Sequence, residues 1–235
     1  HTLITSTNPF YLDNTVPSKV STITTKLDSA EGTTNYINDT WTNHSVYIAL
    51  NNDGEDAHSG VQTTTYTVNG GAATSEPQTL TETGTYEIVV STVDNVGLSS
   101  SETYTIKIDK EKPTAPFDTM LTMELDGSEG TTYTNDTWTK HSVYIAINET
   151  DATDAHSGYL STVYSVSKDG TEILNSQTTA TTLTETGVYT ITVTTRDKSA
   201  ENYLDDGDAN ITVNTYTIKI DKVAPIAPAD TTLTI

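Results

Sequence analysis

Apolar and polar residues alternate with a period of two through short runs along this chain. In "SVYIAL" (45 to 50) Val46, Ile48 and Leu50 share one face, while Tyr47 and Ala49 take the other. "SVYIAI" (142 to 147) repeats the pattern with Val143, Ile145 and Ile147. "TYEIVV" (85 to 90) predicts a buried series Tyr86, Ile88 and Val90, and "TYTV" (65 to 68) one of Tyr66 and Val68. In "TYTIKI" (103 to 108) Tyr104, Ile106 and Ile108 point inward, with Thr105 and Lys107 outward. Clusters of Gly, Asn, Asp and Ser separate the runs, and no stretch sustains a helical period. Thr, Tyr, Val and Ile suit a half-buried pleated surface, so the expected product is an all-β chain.

The runs occur twice. "TYTIKIDK" stands at 103 to 110 and again, unchanged, at 215 to 222, and "NDTWTNHSVYIAL" (38 to 50) returns as "NDTWTKHSVYIAI" (135 to 147). "DAHSG" (56 to 60) returns at 154 to 158, and "LTETGTY" (80 to 86) as "LTETGVY" (183 to 189). The offset between partners grows from 97 at Trp41 and Trp138 to 112 at Asp109 and Asp221, so insertions lie between the markers. Nine of them fall after Asp197, because Asp94 and Asp197 are offset by 103 while Tyr104 and Tyr216 are offset by 112. Residues 198 to 214 are therefore expected to form the longest loop of the second copy. Order preserved across one long period marks tandem copies of one unit. The expected domains are 13 to 110 and 111 to 222, with 1 to 12 the last strand of a preceding copy and 223 to 235 the start of a following one.

Each copy predicts a seven-strand antiparallel sandwich. "LTETGTY" adds a more specific signal, since Leu80, Gly84 and Tyr86 have the spacing of a tyrosine corner, in which a Tyr opening a strand bonds back to upstream backbone. The order "DAHSG … YxV … LTETGxYxI … DNxG … YTIKID … P" resembles the bacterial Ig-like repeats of cell-surface adhesins and secreted multidomain proteins. The resemblance implies tandem immunoglobulin-like antiparallel β-sandwiches that act as a structural stalk or spacer. It implies an extracellular place, on the cell surface or secreted, with neighbouring repeats of the same chain as partners. A carbohydrate-binding or accessory module of a secreted glycan-active enzyme is the alternative, and a surface-layer or fibre subunit a third reading. The paired cysteines of antibody domains are missing, and Trp41 and Trp138 open the strand that follows them, where they are expected to plug one end of the sandwich.

Charge narrows the partners. Thirty-two Asp and Glu against 11 Lys and Arg give a formal charge of −21, which argues against nucleic acid and an anionic membrane surface. Cysteine is absent, removing disulfides and thiolate metal sites. No apolar run is long enough to span a membrane. His44 and His58, with His141 and His156 in the second copy, fall at opposite ends of one strand, and no nucleophile elbow accompanies them, so no enzymatic site is expected.

The acidic loops hold the candidate chemistry. "NNDGEDAHSG" (51 to 60), "NETDATDAHSG" (148 to 158), "VDNVG" (93 to 97) and "LDDGDAN" (204 to 210) combine carboxylates, amides and Gly, the hard oxygen donors and sharp turns that Ca2+ favours. In an Ig sandwich these loops share one end with the incoming chain. Asp13 is thus expected to meet Asp53, Asp56 and Asp94, and Asp109 to meet Asp151, Asp154 and Asp197. Asp206, Asp208 and Asn210 add the one-three-five spacing of an EF-hand loop, although Ile211 stands where that loop needs Gly.

Overall fold

A computed structural model describes residues 12–199 and 210–226, and the expected strand of a preceding copy (1 to 12) lies almost wholly outside them. The chain forms two compact units, one built on residues up to Lys110 and the other from Glu111 onward.

In the first unit, β1 (Ile23–Leu27), β3 (Val46–Leu50) and β5 (Gln78–Leu80) make one antiparallel sheet in the order β1-β3-β5. The second sheet has the order β2-β7-β6-β4, from β2 (Trp41–Thr42), β4 (Val61–Val68), β6 (Gly84–Asp94) and β7 (Ser99–Ile108). One core lies between them: Val46, Ile48 and Leu80 from the first sheet meet Tyr66, Ile88, Val90, Ile106 and Ile108 from the second. The alternation read along "SVYIAL" is thus the inner and outer face of β3.

The second unit repeats this plan. A sheet of β13 (Thr181–Leu183), β10 (Val143–Ile147) and β8 (Leu121–Leu125) faces one of β12 (Thr171–Gln177), β11 (Tyr159–Lys168), β14 (Gly187–Asp197), β15 (Ile211–Ile220) and β9 (Trp138–Thr139). A short helix α1 (Phe117–Met120) precedes β8, and a 3-10 turn (Glu149–Asp151) follows β10. Within the largely aliphatic cores, buried Tyr hydroxyls find backbone acceptors: Tyr66 donates to the Glu76 carbonyl at 2.8 Å and Tyr164 to that of Thr179 at 2.6 Å.

Several expectations are revised. Among the described residues the first unit has seven strands and the second eight, because β12 replaces the single bridge between Tyr66 and Thr74. The sheets are not wholly antiparallel, since β2 pairs parallel to β7 and β9 parallel to β15. Trp41 and Trp138 sit on these two-residue strands rather than on the strand that follows. Trp138 is 62% exposed, so it plugs nothing. Of the loop expected at 198 to 214, residues 200 to 209 lie outside the described residues. The last residues of that expected loop, 211 to 214, belong to β15 instead.

Both corner tyrosines make the expected bond, Tyr86 to the Glu82 carbonyl at 2.8 Å and Tyr189 to that of Glu185 at 2.9 Å. Only Tyr189 is buried; Tyr86 is half-buried. The neighbouring strand differs: Lys168 stands opposite Tyr189 with its Nζ 5.9 Å from the ring centroid, whereas β4 ends at Val68, opposite Ile88, and places no strand residue opposite Tyr86. Tyr189→Phe removes one buried hydrogen bond and is expected to cost about 0.5 to 1.5 kcal/mol in urea unfolding. Tyr86→Phe, whose acceptor water can reach, is expected to cost less, and equal losses would contradict this assignment.

Candidate metal centre

Asp13, Asp56 and Asp94 lie far apart in sequence and meet at one end of the first unit. Asp13 belongs to the segment leading into β1, Asp56 to the connection from β3 to β4, and Asp94 is the last residue of β6. Each offers a carboxylate oxygen, and the three oxygens lie within 4.8 Å of one another.

Local sequence sets each carboxylate in place. Asp56 Oδ1 accepts from the backbone amides of His58 at 3.1 Å, Ser59 at 2.9 Å and Gly60 at 2.8 Å, so "DAHSG" wraps around one oxygen. Closing that turn puts Gly60 at φ +80°, a left-handed conformation that disfavours a side chain. Asp94 Oδ1 staples the turn after β6 by accepting from the amides of Val96 at 2.9 Å and Leu98 at 2.8 Å. Asp13 Oδ1 takes the Thr15 amide at 3.0 Å and its hydroxyl at 2.8 Å, while Oδ2 takes the Ser59 amide at 3.0 Å. The incoming segment is thereby tied to the "DAHSG" turn.

The electrostatics favour a cation. Hydrogen bonds from the Ser59 side chain, then the Thr15 amide, hold the Asp13 carboxyl well below the usual carboxylate range. Its side chain is only 5% exposed. Asp94 is fully buried, and its Oδ2 has no hydrogen-bond partner. A buried carboxylate oxygen without a donor is costly, and two further acidic groups beside it raise that cost. His58 stands beside the cluster, its Nδ1 3.9 Å from Asp13 Oδ1 and 3.0 Å from the Thr15 hydroxyl. Oxygen donors of this kind fit a hard divalent ion such as Ca2+ and would turn the mutual repulsion into coordination.

The second unit repeats the two loop carboxylates. Asp154 Oδ1 accepts from the amides of His156 at 3.0 Å and Gly158 at 2.7 Å, with Gly158 at φ +89°. Asp197 ends β14, is fully buried, and receives the Asn210 side-chain amide at 2.9 Å. Asn210 therefore turns a donor, not an oxygen, toward Asp197. Asp109 follows directly on β7 and closes the first unit, its amide donating to the Thr42 carbonyl at 2.8 Å.

The other acidic candidates stand apart from these groups. Asp53 is taken up by neighbours the sequence reading overlooked: it accepts the Thr22 amide at 2.7 Å and pairs with Lys19 at 3.0 Å. These contacts, the Thr22 amide foremost, hold its carboxyl well below the usual range. Asp151 lies in the 3-10 turn and does not join Asp154 and Asp197. Asp206 and Asp208 lie outside the described residues. Thr15 and Ser59 were also missed, and the signal for them was "DNT" and "DAHSG", short motifs in which a carboxylate folds onto backbone amides two to four residues on.

The histidines separate as expected. His44 pairs with Asp28 at 3.0 Å at the start of β3, while His58 lies beyond its end beside Asp13. Among the described residues no helix is long and apolar enough to cross a membrane.

No family model matches this chain, and no curated protein matches it. Among solved structures, the Bacteroides ovatus mixed-linkage glucan utilization locus protein SGBP-B, in complex with a mixed-linkage heptasaccharide, is similar over 92% of this chain and 71% of its own. Identity is 16% and the TM-score 0.23.

Proposed function

We propose that the two units are immunoglobulin-like repeats of an extracellular spacer, and that Ca2+ stiffens the spacer at Asp13, Asp56 and Asp94. The observation that carries this reading is the convergence of those carboxylates around the buried Asp94, whose Oδ2 has no hydrogen-bond partner. Asp13 sits on the segment leading into the unit and the other two on loops of the unit itself. A bound cation would therefore fix the direction in which one repeat enters the next, which is what a spacer requires.

The strand order supports the immunoglobulin-like part. Sheets β1-β3-β5 and β2-β7-β6-β4 follow the A-B-E and A′-G-F-C arrangement of such domains, with Tyr86 and Tyr189 bonded as corner residues. By the register of the repeats, Asp154 and Asp197 stand in the second unit as Asp56 and Asp94 do in the first.

Calorimetric titration of the full chain with Ca2+ tests the reading, with a Kd expected on the order of 10⁻⁴ M, as in extracellular modules. Asp94→Asn is expected to weaken binding strongly, because it removes the buried charge while leaving an oxygen to accept the Val96 and Leu98 amides. Absence of binding at millimolar Ca2+, or unchanged binding by Asp94→Asn, would overturn the calcium site. Specific retention of a neutral polysaccharide would overturn the spacer in favour of a carbohydrate module.

A further inference from the structure

We propose that each unit carries a load-bearing clasp, in which side chains around the "NDTWT" segment grip the last strand and set how fast the unit opens under tension. "NDTWT" (38 to 42, 135 to 139) and "TYTIK" (103 to 107, 215 to 219) are unchanged between the copies, and no residue of either belongs to an acidic cluster. In the folded chain the two stretches of each unit meet. β2 lies parallel to β7, and β9 parallel to β15.

The contacts extend well beyond these two-residue strands. In the first unit the Thr105 amide donates to Asn38 Oδ1 at 2.8 Å, the Lys107 amide to the Tyr36 hydroxyl at 2.9 Å, and the Asp39 amide to the Thr105 carbonyl at 2.9 Å. Lys107 Nζ pairs with Asp39 Oδ1 at 2.7 Å. All four recur in the second unit: Thr217 to Asn135 at 2.8 Å, Lys219 to Tyr133 at 3.0 Å, Asp136 to Thr217 at 2.8 Å, and Lys219 Nζ to Asp136 at 2.6 Å. Two amides of each last strand thus end on side chains. Tyr36 is buried, and its hydroxyl passes the chain of bonds on to the Thr40 carbonyl at 2.5 Å.

Strand direction turns this joint into a clasp. Asp13 meets Asp94 at the end of β6, and Val93 there pairs with Ser99, so the chain enters the first unit where β7 begins and leaves past its far end at Ile108. Tension on the ends therefore draws β7 one way and, once β1 has left β3, draws residues 36 to 42 the other. Parallel neighbours pulled in this sense slide along their axes, and the bonds that run between them are loaded together. Peeling would break them one at a time. A two-residue strand offers few backbone bonds to share the load, and Tyr36, Asn38 and Asp39 supply the rest. This deepens the spacer reading and rests on it for the source of the tension.

Stretching the full chain at constant force tests the clasp, in EDTA to silence calcium. Cysteines added at the two ends serve as handles, since the sequence has none of its own. Tyr36→Phe deletes one hydroxyl from the first unit's clasp and is expected to quicken one of the two opening events roughly five- to tenfold, leaving the other at its native rate. Tyr66→Phe deletes a hydroxyl bonded to the Glu76 carbonyl on β4, which β6 separates from β7, and is expected to change the rate less than about twofold. Urea unfolding is expected to show both variants folded and both less stable, so that only the clasp variant opens faster than its stability predicts. Equal opening rates for the two variants, or Tyr36→Phe opening no faster than the native unit, would overturn the clasp. Either result leaves the spacer reading to its own test, the calcium titration.

Discussion

Calcium at about 10 mM is expected to raise the Tm of this chain by roughly 11 to 22 °C, and EDTA to reverse the gain. The size follows from mass action on a site that exists only in the folded state. With a Kd near 10⁻⁴ M, that concentration is about a hundredfold excess and contributes about 2.7 kcal/mol. In a unit of about a hundred residues each kcal/mol moves the midpoint by roughly 4 to 8 °C. Asp94→Asn has a distinctive signature: it loses the calcium response, yet in EDTA it melts no lower than the native chain. It removes one of three mutually repelling charges and gives the buried position an amide that Asp13 and Asp56 can accept. A native chain whose Tm ignores both calcium and EDTA would show that the carboxylates are merely solvated acids.

Ile145→Ala is expected to cost about 2 to 5 kcal/mol in urea unfolding, a large share of the roughly 5 to 15 kcal/mol that domains of this size possess. Ile145 is fully buried on β10, opposite Met123 and Thr181, and belongs to the core between the two sheets of the second unit. Truncation removes the transfer energy of its methylenes and leaves a void that two hydrogen-bonded sheets cannot easily close. One strand away, Thr182 is exposed on the opposite face of β13, and Thr182→Ala is expected to stay within about 0.5 kcal/mol. Similar losses for the two variants would mean that the inner and outer faces of this sheet are wrongly assigned.

Alternation and repetition were legible along the chain because they are local. A side chain two residues from Val46 must share its face of β3, whatever the rest of the molecule does. The same holds for the turns: "DAHSG" and "DNVG" fold each Asp onto its own following amides, so Asp56 and Asp94 were recognisable before any partner was known. Their meeting with Asp13 depended on the sandwich bringing distant loops to one end. Other features depended on competition among distant residues, which no short window contains. Asp53 went to Lys19 and Thr22, contacts available only because the incoming segment runs beside it. Trp41 and Trp138 went to two-residue strands parallel to the last strand of each sheet, a pairing whose partner lies more than sixty residues away. The burial of Tyr189 over Tyr86 turned on β11 running on to Lys168 opposite Tyr189, where β4 stops at Val68 opposite Ile88. Local spacing determined which residues face inward and which loops carry acid. Only the packed sheets decided which acids meet and which rings are covered, because those outcomes rest on close contacts between segments brought together by folding.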